Sequence, residues 1–239
     1  MSTITDGMVV ELKVFAALGL IFLLGACSSG SNADNTKTSS NTEDITNETK
    51  TLTDENTKDE VEFIEATEGT ILIDWGLDAM DRGNHDYDTI THSELVVEPE
   101  YLKAVRGDVV YYKIPAEVIE QNPMIPEYYI SRVVGLPGET VGISNGQVYI
   151  DGMKLEAFYS HATMRGMKEK KYFDAEDLSH IENKESTREY FHTSMVPIEV
   201  PTGSVFVLVD QWWRGTDSRD FGTLPIERIE GKILGYVKK

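Results

Sequence analysis

The sequence predicts a mostly β protein built around an antiparallel, barrel-like domain. Short runs of β-branched and aromatic residues are bounded by turn residues, which is typical of strands. Asn145-Gly146 lies between two of these runs and predicts a tight hairpin, because its turn needs positive φ at both central residues. No alternation of helix and strand patterns is present, so a parallel α/β sheet is not expected. The runs cover residues 69–75, 107–114, 128–134, 140–143, 147–150 and 204–209.

Residues 1–27 are predicted to form a lipoprotein signal peptide. Lys13 precedes an uncharged run from Val14 to Ala26, which is too short for a bilayer span of about 20 residues. The run ends in Leu-Gly-Ala-Cys27, which resembles the bacterial lipobox, and Cys27 is the only cysteine of the chain. We therefore expect a lipid anchor on Cys27 and a location on the extracytoplasmic face of the cell membrane. The alternative is an ordinary cleavage site followed by an unrelated cysteine, and translation starts at Met1 or Met8.

Residues 28–62 are predicted to form a disordered linker. They are rich in Ser, Thr, Asn and acidic residues and hold almost no large apolar side chain. Such a segment buries too little surface to offset the entropy lost on ordering. The folded domain is accordingly expected to cover residues 63–239.

The net charge of the chain limits its partners. The formal charge is -19 at pH 7. Binding to nucleic acid needs a basic surface that neutralises phosphates, so nucleic acid is not expected as a partner. Contact with anionic lipid through basic residues is disfavoured for the same reason.

The segment from Leu155 to Pro197 has more charge and a weaker strand pattern than its surroundings. It predicts a small mixed insertion in the β domain. Asp174 precedes a sequence that favours a short helix, with Asp174 as N-cap and Asp177 at the third helical position.

Four segments in order resemble the type I signal peptidases. The most specific is Tyr129–Gly152, which contains Arg-Val-Val-Gly-Leu-Pro-Gly-Glu, and the others are Arg106–Lys113, Val200–Asp210 and Thr216–Gly222. The resemblance implies the signal peptidase type of β domain, with a strand-lined groove that holds an extended peptide. It also implies serine endopeptidase chemistry that uses no cofactor and no metal.

The resemblance implies that both catalytic positions are substituted. In the family, a serine followed by methionine attacks the scissile carbonyl, and a desolvated lysine takes its proton. Here Met80 matches the methionine, but Ala79 stands at the serine position. Ser131, directly before Arg132, stands at the lysine position. A methyl group cannot attack a carbonyl, and a hydroxyl is not a base near neutral pH.

Further residues are assigned to the wall of the active site by the same resemblance. They are Met80, Arg132, Asp217, Ser218 and Arg219. An Asp–Arg pair in a partly buried loop can satisfy several backbone groups without any catalytic role. The preceding Trp212 and Trp213 either pack at the edge of the core or stand exposed near a membrane interface.

Other side chains could replace the catalytic serine and lysine that are substituted here. His85, Asp86, Asp88, His92 and Ser93 lie close together in sequence and could form a Ser-His-Asp set or a divalent metal site. Such a cluster is more often a hydrogen-bonded polar loop, and its spacing matches no tight metal motif.

Two lysines also lie in or beside predicted strands. Lys113 and Lys154 lack the sequence context of the catalytic lysine. We interpret both as exposed charges.

Two functional classes follow from these observations. The first is a catalytically inert, signal peptidase-like lipoprotein that binds extended peptides or modulates export and signal peptide processing. The second is an active type I signal peptidase, a serine endopeptidase that uses unconventional residues. The substituted positions favour the first.

Overall fold

The structure, a computed structural model, describes residues 50–175 and 183–239. The predicted signal peptide, its lipidation site at Cys27 and residues 28–49 of the predicted linker lie outside the described residues. Within the described part of the chain, no helix is long and apolar enough to cross a membrane.

The described residues form a mostly β fold with four short α-helices. The strands are β1 (Thr51–Thr53), β2 (Phe63–Ile64), β3 (Ile71–Ile73), β4 (Leu95–Pro99), β5 (Val109–Lys113), β6 (Tyr128–Gly135), β7 (Thr140–Ser144), β8 (Gln147–Ile150), β9 (Met153–Glu156), β10 (Met195–Glu199), β11 (Ser204–Leu208), β12 (Leu224–Pro225) and β13 (Ile229–Val237). The helices are α1 (Ala116–Gln121), α2 (Glu169–Ala175), α3 (Lys184–Phe191) and α4 (Ser218–Phe221), and a 3-10 turn covers Ile226–Arg228.

Two sheets organise the fold. The larger sheet is a curled, antiparallel half-barrel with the order β12-β11-β6-β5-β13-β4-β3, and β2 adds to β13 in parallel. The smaller sheet has the order β1-β9-β8-β7-β10, and only the β1–β9 pair is parallel. The predicted mostly β, antiparallel class is confirmed.

The predicted hairpin at Asn145-Gly146 is confirmed. It joins β7 to β8, with Ser144 opposite Gln147, and the two turn residues have φ of 51° and 73°. Gly146 is required for a second reason. A Cβ at this position would lie 2.1 Å from the carbonyl oxygen of Phe191.

The segment predicted as a mixed insertion contains α2, α3 and the start of β10, but the predicted N-cap is wrong. Asp174 lies in the last turn of α2, where its carboxylate pairs with Lys170. The neighbouring helix α3 has the side-chain cap instead, because Asn183 Oδ1 accepts a hydrogen bond from the Ser186 amide at 3.0 Å. Residues 176–182, which include Asp177, lie outside the described residues.

The strands begin before the predicted boundary between linker and domain. Strand β1 pairs with β9, so residues 51–62 belong to the fold even though the sequence assigns them to the linker. The free edge of β9 and the end of β13 that extends beyond β5 explain the difference, since they bind a chain segment through main-chain hydrogen bonds with little apolar burial. We call residues 51–64 the strap.

Two hydrophobic clusters form the core. The larger lies inside the half-barrel and includes Trp75, Ala79, Met80, Tyr112 and Tyr129. The smaller packs around the second sheet. Two of the predicted site residues, Ala79 and Met80, therefore lie in the larger cluster.

Candidate functional site

Ala79 and Met80 are completely buried in the turn region that follows β3. Ala79 is 1% exposed and Met80 is 0% exposed. The Ala79 carbonyl accepts a hydrogen bond from the amide of Gln211 at 2.8 Å. A Cβ on Gly215 would lie 2.9 Å from the Cβ of Ala79, so the backbone at Gly215 packs directly against this side chain.

Ser131 lies in β6 and is fully buried. Its hydroxyl shares a 3.0 Å hydrogen bond with the hydroxyl of Tyr112, a buried residue of β5. Burial raises the pKa of Tyr112 well above its usual range, although the hydrogen bond from Ser131 acts to lower it. Both hydroxyls therefore stay protonated near neutral pH. This pair does not supply a base.

Tyr129 connects the surroundings of Ala79 and Ser131. Its ring centroid lies 5.1 Å from that of Trp75 and 6.3 Å from that of Tyr112. Its hydroxyl lies 3.5 Å from the backbone nitrogen of Thr216, next to Gly215. Aromatic packing thus fills the space near both predicted catalytic positions, and these residues were not identified from the sequence.

Arg132 forms a buried, bidentate ion pair with Asp210. Its Nε and Nη2 donate to Asp210 Oδ1 and Oδ2 at 2.8 and 2.6 Å, and Nη1 donates to the Gly107 carbonyl at 2.8 Å. The two side chains are 3% and 1% exposed. Burial acts to lower the pKa of Arg132, but the charge and hydrogen bonds of Asp210, together with those of Tyr87, outweigh burial and raise the pKa. The pair links β6 to the end of β11.

Asp217, Ser218 and Arg219 bind backbone groups around α4. The Asp217 side chain caps α4 and accepts from the Val209 amide at 3.0 Å. Ser218 Oγ accepts from the Val207 amide at 2.9 Å. Arg219 Nε donates to Asp217 Oδ1 at 2.8 Å. Burial acts to lower the pKa of Arg219, but the charge of Asp217, the hydrogen bond to it and other nearby acidic groups together outweigh burial and raise the pKa. These contacts fix the loop after β11.

The two tryptophans before α4 differ in solvent exposure. Trp212 is buried, and its carbonyl accepts a hydrogen bond from Arg219 Nη2 at 2.7 Å. Trp213 is 39% exposed, and its indole nitrogen donates to Gln211 Oε1.

The histidine and aspartate cluster does not assemble a Ser-His-Asp set. Ser93 Oγ donates to the carbonyl of Val237. The ring of His92 packs on Tyr236, with 4.7 Å between centroids, and His85 lies 3.4 Å from Asp88. Asp86 lies beside Arg82 instead. Within residues 50–175 and 183–239, no group of three His, Cys, Asp or Glu side chains is placed to hold a metal ion.

The two lysines near the predicted strands are surface charges, as predicted. Lys113 Nζ pairs with Glu127 Oε1 at 2.5 Å, and Lys154 Nζ pairs with Glu156 Oε1 at 2.6 Å. Neither ammonium is directed towards Ser131, whose hydroxyl bonds to Tyr112.

Comparison with known proteins gives one family. A family model described as signal peptidase, peptidase S26, matches residues 77–237. The chain is 31% identical over 129 residues to a signal peptidase I of Leptolyngbya laminosa, covering 54% of this chain and 50% of that protein. It is 27% identical over 154 residues to signal peptidase I S of Bacillus subtilis (strain 168), covering 62% of this chain and 70% of that protein.

The extent of these matches is limited. The chain spans about half the length of the first curated relatives that it matches. Among solved structures, a signal peptidase I from Enterococcus faecalis V583 aligns with a TM-score of 0.38 and 24% identity, covering 56% of this chain and 98% of that chain.

Proposed function

Because this chain belongs to the signal peptidase family, peptidase S26, we propose that it is a lipid-anchored, catalytically inert member that binds extended peptide segments. The proposal that the chain is catalytically inert rests on the chemistry at the two family positions. Ala79 has no nucleophile and packs against Gly215, while Ser131 bonds to the high-pKa hydroxyl of Tyr112. On this proposal, Ala79 and Ser131 occupy the positions of the family's nucleophile and base, and Met80, Arg132, Asp217, Ser218 and Arg219 support the wall around them.

Peptide binding is supported by the free edge of β3. This strand is the last one of the larger sheet, so one of its edges has no partner strand among the described residues. Ile71 and Leu72 are 45% and 42% exposed, and Leu77 and Ile90 nearby are also exposed. An extended chain could add to such an edge through main-chain hydrogen bonds while its apolar side chains cover these residues. Signal peptides are apolar and fit this description.

The proposal is tested with the full-length chain in detergent. A fluorogenic peptide that spans a signal peptide cleavage site should bind and remain intact, because Ala79 and Ser131 supply neither a nucleophile nor a base at the two family positions. Turnover above the blank would instead support an active type I signal peptidase. In that case Ser93→Ala and Ser131→Ala variants would show whether either hydroxyl is the nucleophile.

The location of the peptide gives a separate prediction. Leu72→Asp should weaken binding of the labelled peptide about tenfold or more, because it removes one apolar contact and places a charge at the edge. Fluorescence anisotropy measures the affinity. The matched control is Val196→Asp, at an exposed position of the edge strand β10 in the smaller sheet. Equal effects of both variants would place the peptide elsewhere.

The lipid anchor gives a further prediction. Cells that express the chain should incorporate labelled fatty acid into it, and Cys27→Ser should abolish the label, since Cys27 is the only thiol. Gel electrophoresis with in-gel detection of the label provides the measurement. Label that persists in Cys27→Ser, or its absence from the wild-type chain, would contradict the anchor.

A further inference from the structure

The strap, residues 51–64, joins the edge strand β9 of the smaller sheet to the end of β13 in the larger sheet. At its start, the Lys154 amide donates to the Lys50 carbonyl at 2.9 Å, and the Asp54 amide donates to the Glu156 carbonyl at 3.1 Å. At its end, the amide of Tyr236 donates to the Glu62 carbonyl at 2.8 Å. The strap thus pairs with β9 of the smaller sheet and then with β13 of the larger one.

Polar contacts hold the middle of the strap. Asp54 Oδ2 accepts hydrogen bonds from the hydroxyls of Thr57 and Tyr159 at 2.5 and 2.7 Å. Burial acts to raise the pKa of Asp54, but these and its backbone hydrogen bonds lower it overall. The carbonyl of Asp59 accepts a hydrogen bond from Arg82. The contacts fix the path of the strap across the gap between its two strands.

Thr57 packs directly on the backbone of Gly107. A Cβ on Gly107 would lie 1.7 Å from Thr57 Oγ1 and 2.9 Å from Asp54 Oδ2. Gly107 also has a φ of 89°. The absence of a side chain at this position is therefore what allows the strap to lie against the body of the domain.

A cleft of about 340 Å³ lies under the strap. Thr57, Val61 and Glu62 line it from the strap, and Tyr87, Arg106 and Arg132 line it from the body. The cleft therefore reaches the buried Arg132–Asp210 pair.

Burial distinguishes the strap from the elements that it covers. None of residues 51–64 is fully buried, whereas Val148 and Val207 in the two sheets are 0% exposed. Segments with few buried apolar contacts open with a low free energy and need not unfold the core. The strap also lies outside residues 77–237, which the family model matches.

We propose that the strap is a releasable latch. It detaches as a unit from a core that remains folded, which uncovers the cleft at Tyr87 and Arg132 and frees the edge of β9 and the end of β13. Because the strap directly follows residues 28–50, the first part of the predicted acidic linker, a partner that binds or pulls on those residues would act on the latch first.

Hydrogen exchange of the full-length protein tests the latch. The amides of Tyr236 and Lys238 belong to the body but donate to the strap, and the amide of Lys154 donates to Lys50 directly before it, so all three report its docking. We expect them to exchange together and much faster than the amides of Val148 and Val207. Equal rates for both groups would show that the strap opens only when the whole domain unfolds, and would overturn the proposal.

Gly107→Ala should release the latch. The added methyl group cannot coexist with Thr57 in its present position, so the three reporter amides should exchange about tenfold faster or more while the core amides remain unchanged. Gly138→Ala is the matched control, because Gly138 has a φ of 88° but no atom within 4 Å of its Cβ position. Adding Thr57→Gly to Gly107→Ala should restore part of the protection. The same effect from Gly107→Ala and Gly138→Ala would contradict the latch.

Discussion

Asp210→Ala is expected to lower the free energy of unfolding by about 3 to 5 kcal/mol, because it leaves the buried Arg132 guanidinium without its counter-charge. Asp210 accepts two hydrogen bonds from Arg132, and both side chains are almost inaccessible to water. Arg132 would keep the neutral carbonyl of Gly107 as an acceptor, which supplies no charge. Urea denaturation followed by circular dichroism measures the loss.

Two further variants separate the causes of that loss. Asp210→Asn keeps the volume but removes the charge, so a loss close to that of Asp210→Ala would assign the effect to the ion pair. Asp78→Ala is the control, because Asp78 pairs with Arg214 where both side chains are about half exposed. Such a surface pair contributes at most about 1 kcal/mol. Equal losses at Asp210 and Asp78 would contradict the argument from burial.

Ser131→Lys is expected to lower the free energy of unfolding at pH 7 by about 3 to 5 kcal/mol, because an ammonium group would replace a hydroxyl at a position that water does not reach. The neighbouring hydroxyl of Tyr112 remains neutral at this pH, since burial raises its pKa. It therefore offers no compensating charge. The variant is informative because the family resemblance places a lysine at this position.

The pH dependence of Ser131→Lys has a definite sign. Burial lowers the pKa of a lysine in the folded state below its unfolded value of about 10.4, so the unfolded state binds more protons between these two values. The stability deficit relative to wild type should therefore shrink as the pH rises from 7 towards 9. Ser144→Lys, at an exposed end of β7, is the control and should show no such dependence. A deficit at Ser131 that does not change with pH would mean that the new amine is solvated or paired.

Local patterns predicted β3, β5, β6, β7, β8 and β11, whose residues are mostly β-branched or aromatic, but not β4. The Asn145-Gly146 hairpin follows from turn chemistry alone, since positive φ at two successive residues is a local requirement. Strand β13 was not predicted because Gly231 and Gly235 interrupt its pattern. Gly231 is nevertheless part of the ladder, since a Cβ there would lie 2.4 Å from the carbonyl oxygen of Glu98 in β4. That contact is visible only when the two strands are placed side by side.

The candidate site was also predicted in part. The sequence motifs identify Ala79 and Ser131 as positions of interest, and Arg132, Asp217 and Arg219 as their surroundings. They do not show that Tyr112 bonds to Ser131, that Gly215 packs on Ala79, or that Asp210 neutralises Arg132. Each of these contacts joins residues that are far apart in the chain or lie in different elements.

The sequence alone therefore determined the residue types at each position, the β class of the domain and the family motifs, because these depend on local chemistry and spacing. Tertiary structure decided which groups are buried together and which segment covers them. The strap illustrates the difference. Its polar composition predicts a linker, but the edge of β9 and the end of β13 beyond β5 hold it in place. These free backbone groups are brought into position only when the sheets have formed.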